Sequence, residues 1–338
     1  MCTSITITSK EGQVFYGRTM DFNMGMFGED PGTLTSILTF PKGSKLESQY
    51  TPWDSKYAVM GVGSKGTICL YDGVNEAGLS GDLQVLMECT HATSDELAKR
   101  NLTGLMAEEF VTYVLSNFKD VADIKEHINE YGLIDQPYKV AGQSIQVPAH
   151  YTFVDETGAK IVVEPTNQGG FKVYDSIGIM TNSPEYSWHL TNIRNYISLD
   201  NIDPKKPRQI SKDVTLSPIE MGTGYGMFGL PGDYTSPSRF VRSTMISNHL
   251  DDFSSDDGIN QLYSAFRTVM VPRGLERASK EDPLSDFTRY WAGYNLSERR
   301  IYVQTCRGIG FSTMKLDPNQ KEITNTEIDM SNSAKELS

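Results

Sequence analysis

The reading of this chain turns on its first 21 residues: Met1-Cys2-Thr3-Ser4-Ile5-Thr6-Ile7-Thr8-Ser9-Lys10-Glu11-Gly12-Gln13-Val14-Phe15-Tyr16-Gly17-Arg18-Thr19-Met20-Asp21. From Cys2 to Thr8 the side chains alternate: Ile5 and Ile7 share one face with Thr3, and Ser4 and Thr6 share the other with Cys2. Lys10-Glu11-Gly12 is a turn signal and residues 13–19 read as a returning strand, so the spacing predicts a β-hairpin. Its register stays open. A three-residue loop at Lys10-Glu11-Gly12 sets Cys2 opposite Met20 and diagonal to Arg18. A two-residue turn at Glu11-Gly12 sets Cys2 opposite Asp21. Both put a cation and a carboxylate beside the start of the chain.

Cys2 gives that hairpin a chemistry. Its small side chain predicts removal of Met1, which leaves a thiol and a free α-amine on one residue. A free α-amine titrates near roughly 7.7–8.0. It can serve as general base for its own thiol and later protonate a leaving amine, with no histidine needed. A neighbouring guanidinium favours the thiolate, and a carboxylate can hold the α-ammonium. The bland alternatives are a cysteine filling a strand position and a surface Arg–Asp pair.

The remaining sequence bounds the class. Its 338 residues carry 31 Lys and Arg against 43 Asp and Glu, a net charge of −12. Such acidity argues against nucleic acid or an anionic membrane as partner. Apolar residues make up 38%, enough for a sizeable core. The cysteines, Cys2, Cys69, Cys89 and Cys306, are too scattered for a disulfide scaffold, and the five histidines form no ligand motif. Without a secretory signal or an apolar span, the expectation is a cytoplasmic protein with no metal and no cofactor.

Along the chain, strands are predicted at 34–40, 57–62, 67–71 and 78–83. Helices follow at 105–118 and 121–131, then a hairpin across Asp155-Glu156-Thr157-Gly158 and strands at 171–174 and 177–181. Further helices fall at 184–197, 236–250 and 259–271, and a closing hairpin at 291–305. Residues 201–220 are polar and read as an extension. The unbroken succession predicts one layered α+β domain. Two GxGxxG matches, from Gly61 and from Gly224, do not open helices and are read as turn glycines.

Four motifs, residues 1–7, Gly17-Arg18-Thr19-Met20-Asp21-Phe22, Met180-Thr181-Asn182-Ser183-Pro184 and the segment Gly229–Arg242, together resemble the choloylglycine hydrolase family of N-terminal-nucleophile hydrolases. The family comprises conjugated bile acid hydrolases and penicillin V acylases. The resemblance implies a four-layer αββα sandwich over residues 2–330, a homotetramer with residues 198–222 used in assembly, and hydrolysis of a linear, non-peptide amide. It implies Cys2 as nucleophile, Arg18 and Asp21 as its cation and carboxylate, Asn182 as oxyanion donor and Arg239 as a second active-site arginine. A backbone N–H near Leu83–Val85 would complete the oxyanion site.

One position departs from the bile acid hydrolases: where they carry an asparagine, a gapless match puts Val85 here, with Asp82 or Gln84 reached by a small shift. Substrate contacts are expected from Met20, Phe22, Met24, Phe27 and Val85, with Met26 in the same loop; these suit an apolar acyl group. The sequence expectation is therefore a penicillin V acylase releasing phenoxyacetate. The alternatives are a bile acid hydrolase releasing glycine or taurine, and a non-catalytic binding homologue.

Overall fold

The computed structural model describes residues 1–29, 32–140, 142–204, 206–219 and 223–332. The opening hairpin takes the register of the three-residue loop. Thr8 faces Val14 and Cys2 faces Met20, with Arg18 opposite Ser4. Gly12 is the reason: it sits at φ +84°, the left-handed conformation that ends a three-residue hairpin loop.

This hairpin lies in a six-stranded antiparallel sheet. Its order is Ile179–Met180, Cys2–Thr8, Val14–Phe22, Phe287–Asn295, Arg300–Thr305, Ser312–Lys315. The second sheet has eight antiparallel strands. Its order is Gly170–Asp175, Lys160–Asn167, Ala149–Val154, Ser80–Val85, Leu70–Asn75, Val59–Ser64, Thr35–Phe40, Thr324–Thr326.

Alternation assigns the layers. Ile5, Ile7 and Phe15 face outward onto the helices Ser236–Asn248 and Gly258–Phe266, where Phe240, Leu262 and Phe266 meet them. Cys2, Tyr16 and Met20 face inward and share a core with Met60, Val62 and Val74 of the second sheet. The far face of the second sheet is covered by the helices Phe110–Asn117 and Val121–His127. The result is the four-layer αββα sandwich. Gly17 is needed where the outer helix layer crosses the hairpin: an added Cβ would lie 2.8 Å from the Ala292 carbonyl and 3.1 Å from Leu262 and Phe266.

The structure corrects two helices: the one expected to run to 271 ends at Phe266, and the one expected from 105 starts later. Residues 105–109 are not helical; Thr103–Leu105 is a short strand parallel to Tyr131–Leu133, and the helix starts at Phe110. Glu108 and Glu109 account for this, since their carboxylates bond the backbone of Val147 and Gln49 and tie the segment to distant chain. The extension at 198–222 forms an exposed hairpin of Arg208–Ser211 with Val214–Leu216. Lys205 and residues 220–222 of that stretch lie outside the described residues.

Candidate active site

Cys2 ends the first strand on its inward face and is 3% exposed. Its Sγ lies 3.9 Å from Met20 Sδ, and Arg18 Nη2 approaches the same thioether at 3.7 Å. Met20 thus stands between thiol and guanidinium. Arg18 is wholly buried between the sheets. Its Nη1 is 3.5 Å from Asp72 Oδ2 and its Nε 3.6 Å from Asp82 Oδ2. It also donates to the Leu83 carbonyl at 3.2 Å and to the Tyr290 hydroxyl at 3.3 Å.

Charge burial on this scale needs partners on every side. The Tyr290 and Tyr294 hydroxyls donate to Asp72, and the Ser4 hydroxyl and Gln84 amide donate to Asp82. Burial pulls the Arg18 guanidinium down, but Tyr290, Cys2, Asp82 and Asp72 outweigh it and hold it above the ordinary arginine value. Burial pushes the Asp72 carboxyl up, against the pull of Arg18.

Asn182 reaches Cys2 from the edge of the same sheet. The Cys2 amide nitrogen donates to Asn182 Oδ1 at 2.8 Å, and Arg239 Nη2 donates to that oxygen at 2.7 Å. Two donors on Oδ1 fix the carboxamide, so Nδ2 points the other way and donates to the Val85 carbonyl at 2.9 Å. The wholly buried Arg239 also donates through Nη1 to the Cys2 carbonyl and, at 2.7 Å, to Thr3 Oγ1. Burial lowers the Arg239 guanidinium below its ordinary value, while the Asp21 and Cys2 charges work against that.

Asp21 is placed beside Cys2 through its backbone. The structure carries Met1, which adds one more rung to the hairpin. Asp21 N donates to the Met1 carbonyl at 2.9 Å, and the Met1 ammonium donates to the Asp21 carbonyl at 2.8 Å. The Asp21 carboxylate accepts from Thr288 Oγ1 at 2.5 Å and Thr19 Oγ1 at 3.3 Å. Burial pushes that carboxyl up, and the N-terminal ammonium and Arg239 pull it back.

A cavity of about 160 Å³ adjoins Cys2. Met20, Phe22, Met24 and Val85 line it, as does Met26. Phe27 does not: the bridge from Phe27 to Leu34 turns its ring into the core between the sheets. Sequence reasoning missed the opposite wall, which comes from Tyr71 and from Tyr138, Val140, Ile145 and Val147. A short hairpin of Tyr138–Val140 with Gln143–Ile145 supplies it, too brief to show a period. The Asp72 and Asp82 clamp was also missed as such, although a lone aspartate inside an apolar strand is a signal of a buried partner. A larger surface cleft, about 840 Å³, is lined by other residues and not by Cys2.

The pairing of Leu70–Asn75 with Ser80–Val85 runs from Val74↔Ser80 to Asp72↔Asp82 and stops there. Leu83–Val85 therefore passes Cys2 beyond the end of that ladder. A thiol, two guanidiniums and an oriented carboxamide converge beside an apolar cavity, an arrangement suited to acyl transfer.

Comparison with known proteins identifies the lineage. The family model described as linear amide C–N hydrolases, choloylglycine hydrolase family, matches residues 2–329. The chain is 29% identical to a bile salt hydrolase/transferase of Clostridium perfringens over 97% of this chain and 95% of that protein. It is 30% identical to a penicillin V acylase of Pectobacterium atrosepticum, over only 47% of this chain and 44% of that protein. The crystal structure of the C2A mutant of conjugated bile acid hydrolase from Clostridium perfringens superposes with a TM-score of 0.86 at 26% identity, covering 100% of both chains. The chain belongs to the choloylglycine hydrolase family, and it is a cysteine-nucleophile hydrolase of linear, non-peptide C–N amide bonds.

Proposed function

We propose that this enzyme hydrolyses conjugated bile acids, with the acyl half in the cavity beside Cys2 and the amine half toward solvent. The observation that carries this reading is the cavity itself. Met20, Met24, Met26, Leu83, Val85 and Val147 offer an apolar wall to a bulky acyl group directly beside the thiol. The end-to-end likeness to a bile salt hydrolase/transferase, against a half-length match to a penicillin V acylase, supports the bile acid over phenoxyacetate.

In the proposed mechanism, loss of Met1 frees the Cys2 amine, which keeps its bond to Asn182 Oδ1. The amine takes the thiol proton and Sγ attacks the amide carbonyl. The oxyanion is met by the second Nδ2 hydrogen of Asn182, since Val85 takes only one, and by a backbone N–H in Leu83–Val85. Collapse breaks the C–N bond, passes the proton to the leaving nitrogen and leaves a thioester on Cys2. Water then hydrolyses that thioester. Arg18 stabilises the thiolate, Arg239 holds Asn182 and the Cys2 carbonyl, and Asp21 offsets the charge of the α-ammonium.

A second reading, phenoxyacetyl amides, is favoured by Val85, which puts an apolar side chain where bile acid hydrolases carry asparagine. The test is kcat/KM for a glycine-conjugated bile acid and for penicillin V, side by side. A clear preference for the conjugate is expected, and a preference for penicillin V overturns the substrate proposal while leaving the chemistry intact.

We further propose that the 198–222 extension joins copies of the chain into a homotetramer. Ile202, Ile210, Leu216 and Ile219 are all exposed on it, an apolar surface that a lone chain would leave wet. Light scattering coupled to gel filtration tests this, and a monomeric mass would contradict it.

A further inference from the structure

The cavity beside Cys2 is mostly apolar, yet two carboxylates line it, Asp21 and Glu108, and among the described residues no Lys, Arg or His does. Asp21 uses both of its oxygens, one on Thr288 and one on Thr19. Glu108 uses one: its Oε1 accepts from the Val147 backbone N–H at 2.8 Å. Its Oε2 is shut off from solvent and has no hydrogen-bond partner among the described residues. A bare carboxylate oxygen in an apolar wall costs stability. Holding Val147 explains Oε1 and leaves Oε2 without a role in the fold.

The segment that carries Glu108 is pinned on both sides. The Ala107 carbonyl accepts from the Tyr151 hydroxyl at 2.8 Å, and the Glu109 carboxylate accepts from the Ser48 hydroxyl and the Gln49 backbone. Val147 belongs to the wall opposite Cys2, and Glu108 stands on that wall with it. An acyl group whose carbonyl is at Cys2 therefore brings its ring system, not its amide, to Glu108. We infer that Glu108 is a specificity residue: its Oε2 accepts a hydrogen bond from a hydroxyl on the ring system of the acyl group, so that ring-hydroxylated acyl groups are selected over bare ones.

This rests on the bile acid reading above and deepens it. A bile acid carries hydroxyls on an otherwise apolar ring body, whereas phenoxyacetate has no donor at its ring end. The recognition is directional. An ionised carboxylate only accepts. It takes a hydroxyl and rejects an oxo group at the same ring position, where two acceptors would face each other. A protonated carboxyl can donate, so it takes either. Burial pushes the Glu108 carboxyl up to about 7, with Glu109 adding to the rise and the Val147 N–H pulling against it. Cys69, Tyr71, Tyr138 and Tyr151 around it are also raised by burial and stay neutral, and Asp21 and the Cys2 thiol stand across the cavity. The change from acceptor to donor thus falls near neutral pH.

The test is kcat/KM on glycine conjugates of bile acids in which one ring hydroxyl at a time is removed or oxidised to the oxo group. At about pH 8, with Glu108 ionised, removal of one particular hydroxyl should lower kcat/KM by about 10–100-fold, the scale of a hydrogen bond to a charged group. Glu108→Leu should bring that ratio close to unity. Glu108→Gln keeps an oxygen for Val147 and turns its NH2 to the ring, so it should raise the oxo conjugate relative to the hydroxy one. In the wild type the oxo-to-hydroxy ratio should rise as the pH falls from about 8 to about 6, and in Glu108→Gln it should stay flat. A residue that only held Val147 would move neither ratio, and the wild-type pH series decides the point even where a variant fails to fold. Hydrolysis of the conjugates with no ring hydroxyl that matters, a hydroxyl preference that survives Glu108→Leu, or a wild-type ratio flat with pH overturns this inference and leaves the bile acid reading standing. No hydrolysis of any conjugate overturns the bile acid reading and this inference with it.

Discussion

The amide nitrogen of Cys2 donates to the side-chain oxygen of Asn182 at 2.8 Å, across 180 residues of chain. This contact sets the orientation of the whole carboxamide, because Arg239 shares the same oxygen. Asn182→Ala should therefore lower kcat by roughly 10²–10³-fold with a smaller change in KM, the scale for losing one oxyanion donor. Steady-state kinetics on the preferred substrate check this. An unchanged kcat would assign Asn182 to holding the edge strand alone.

Arg18 is the cation for two buried carboxylates, Asp72 and Asp82. Removing it leaves both without compensation, and breaking a buried ion pair from one side costs about 3–5 kcal/mol. Arg18→Leu should lose stability on that scale in urea unfolding, and Arg18→Leu with Asp82→Asn should regain part of it. The single variant should also react more slowly with iodoacetamide at Cys2, since the thiolate loses its partner. Unchanged stability and unchanged alkylation would make Arg18 an ordinary buried residue.

His189 offers a pH test. Its ring stacks on Phe240 at 4.6 Å, and its Nε2 is 2.9 Å from the Asn182 carbonyl. Burial first, then His150 and Arg239, lower it to about 4, against the pull of that hydrogen bond and of Glu164. Unfolded histidine titrates near 6.5. Between those values the unfolded chain binds more protons than the folded one, so this group's contribution to stability falls as the pH drops. It is intact above about 6.5 and declines until about 4, by about 3 kcal/mol in all. His189→Gln keeps a donor for Asn182 and cannot protonate, so its stability should fall less steeply across that window than that of the wild type. Parallel slopes in urea unfolding at pH 7, 6 and 5 would contradict the assignment.

Much of the frame was legible. The alternation from Cys2 to Thr8 gave both faces correctly, because a strand's period of two is a local property. The register was left between two choices that only the backbone conformation of Gly12 separates. Arg18 and Asp21 were readable from the hairpin, which returns them beside Cys2, whereas Asn182 and Arg239 were readable only through motif resemblance: Asn182 follows the edge strand and Arg239 sits on a helix, and nothing local joins them to Cys2. The Asp72 and Asp82 clamp and the buried His150–Glu164 pair, 3.1 Å apart, escaped for the same reason. The clamp on Arg18 is made by stacking two sheets and the His150–Glu164 pair by neighbouring strands of one sheet, and a sequence pattern reports which way a side chain faces rather than whom it meets. Phe27 shows the limit from the other side. Its neighbours Met24 and Met26 line the cavity, and a bridge two residues long turned it away.

The central claim is that the reacting group is the thiol of an N-terminal Cys2. Acid quenching of enzyme mixed with excess substrate, followed by intact-mass and peptide mass spectrometry, tests it most directly. The account predicts loss of Met1 and an added acyl mass on the peptide beginning at Cys2, absent from Cys2→Ser at the same quench times. An acyl adduct on any other residue, or full activity in a chain that retains Met1, would contradict it.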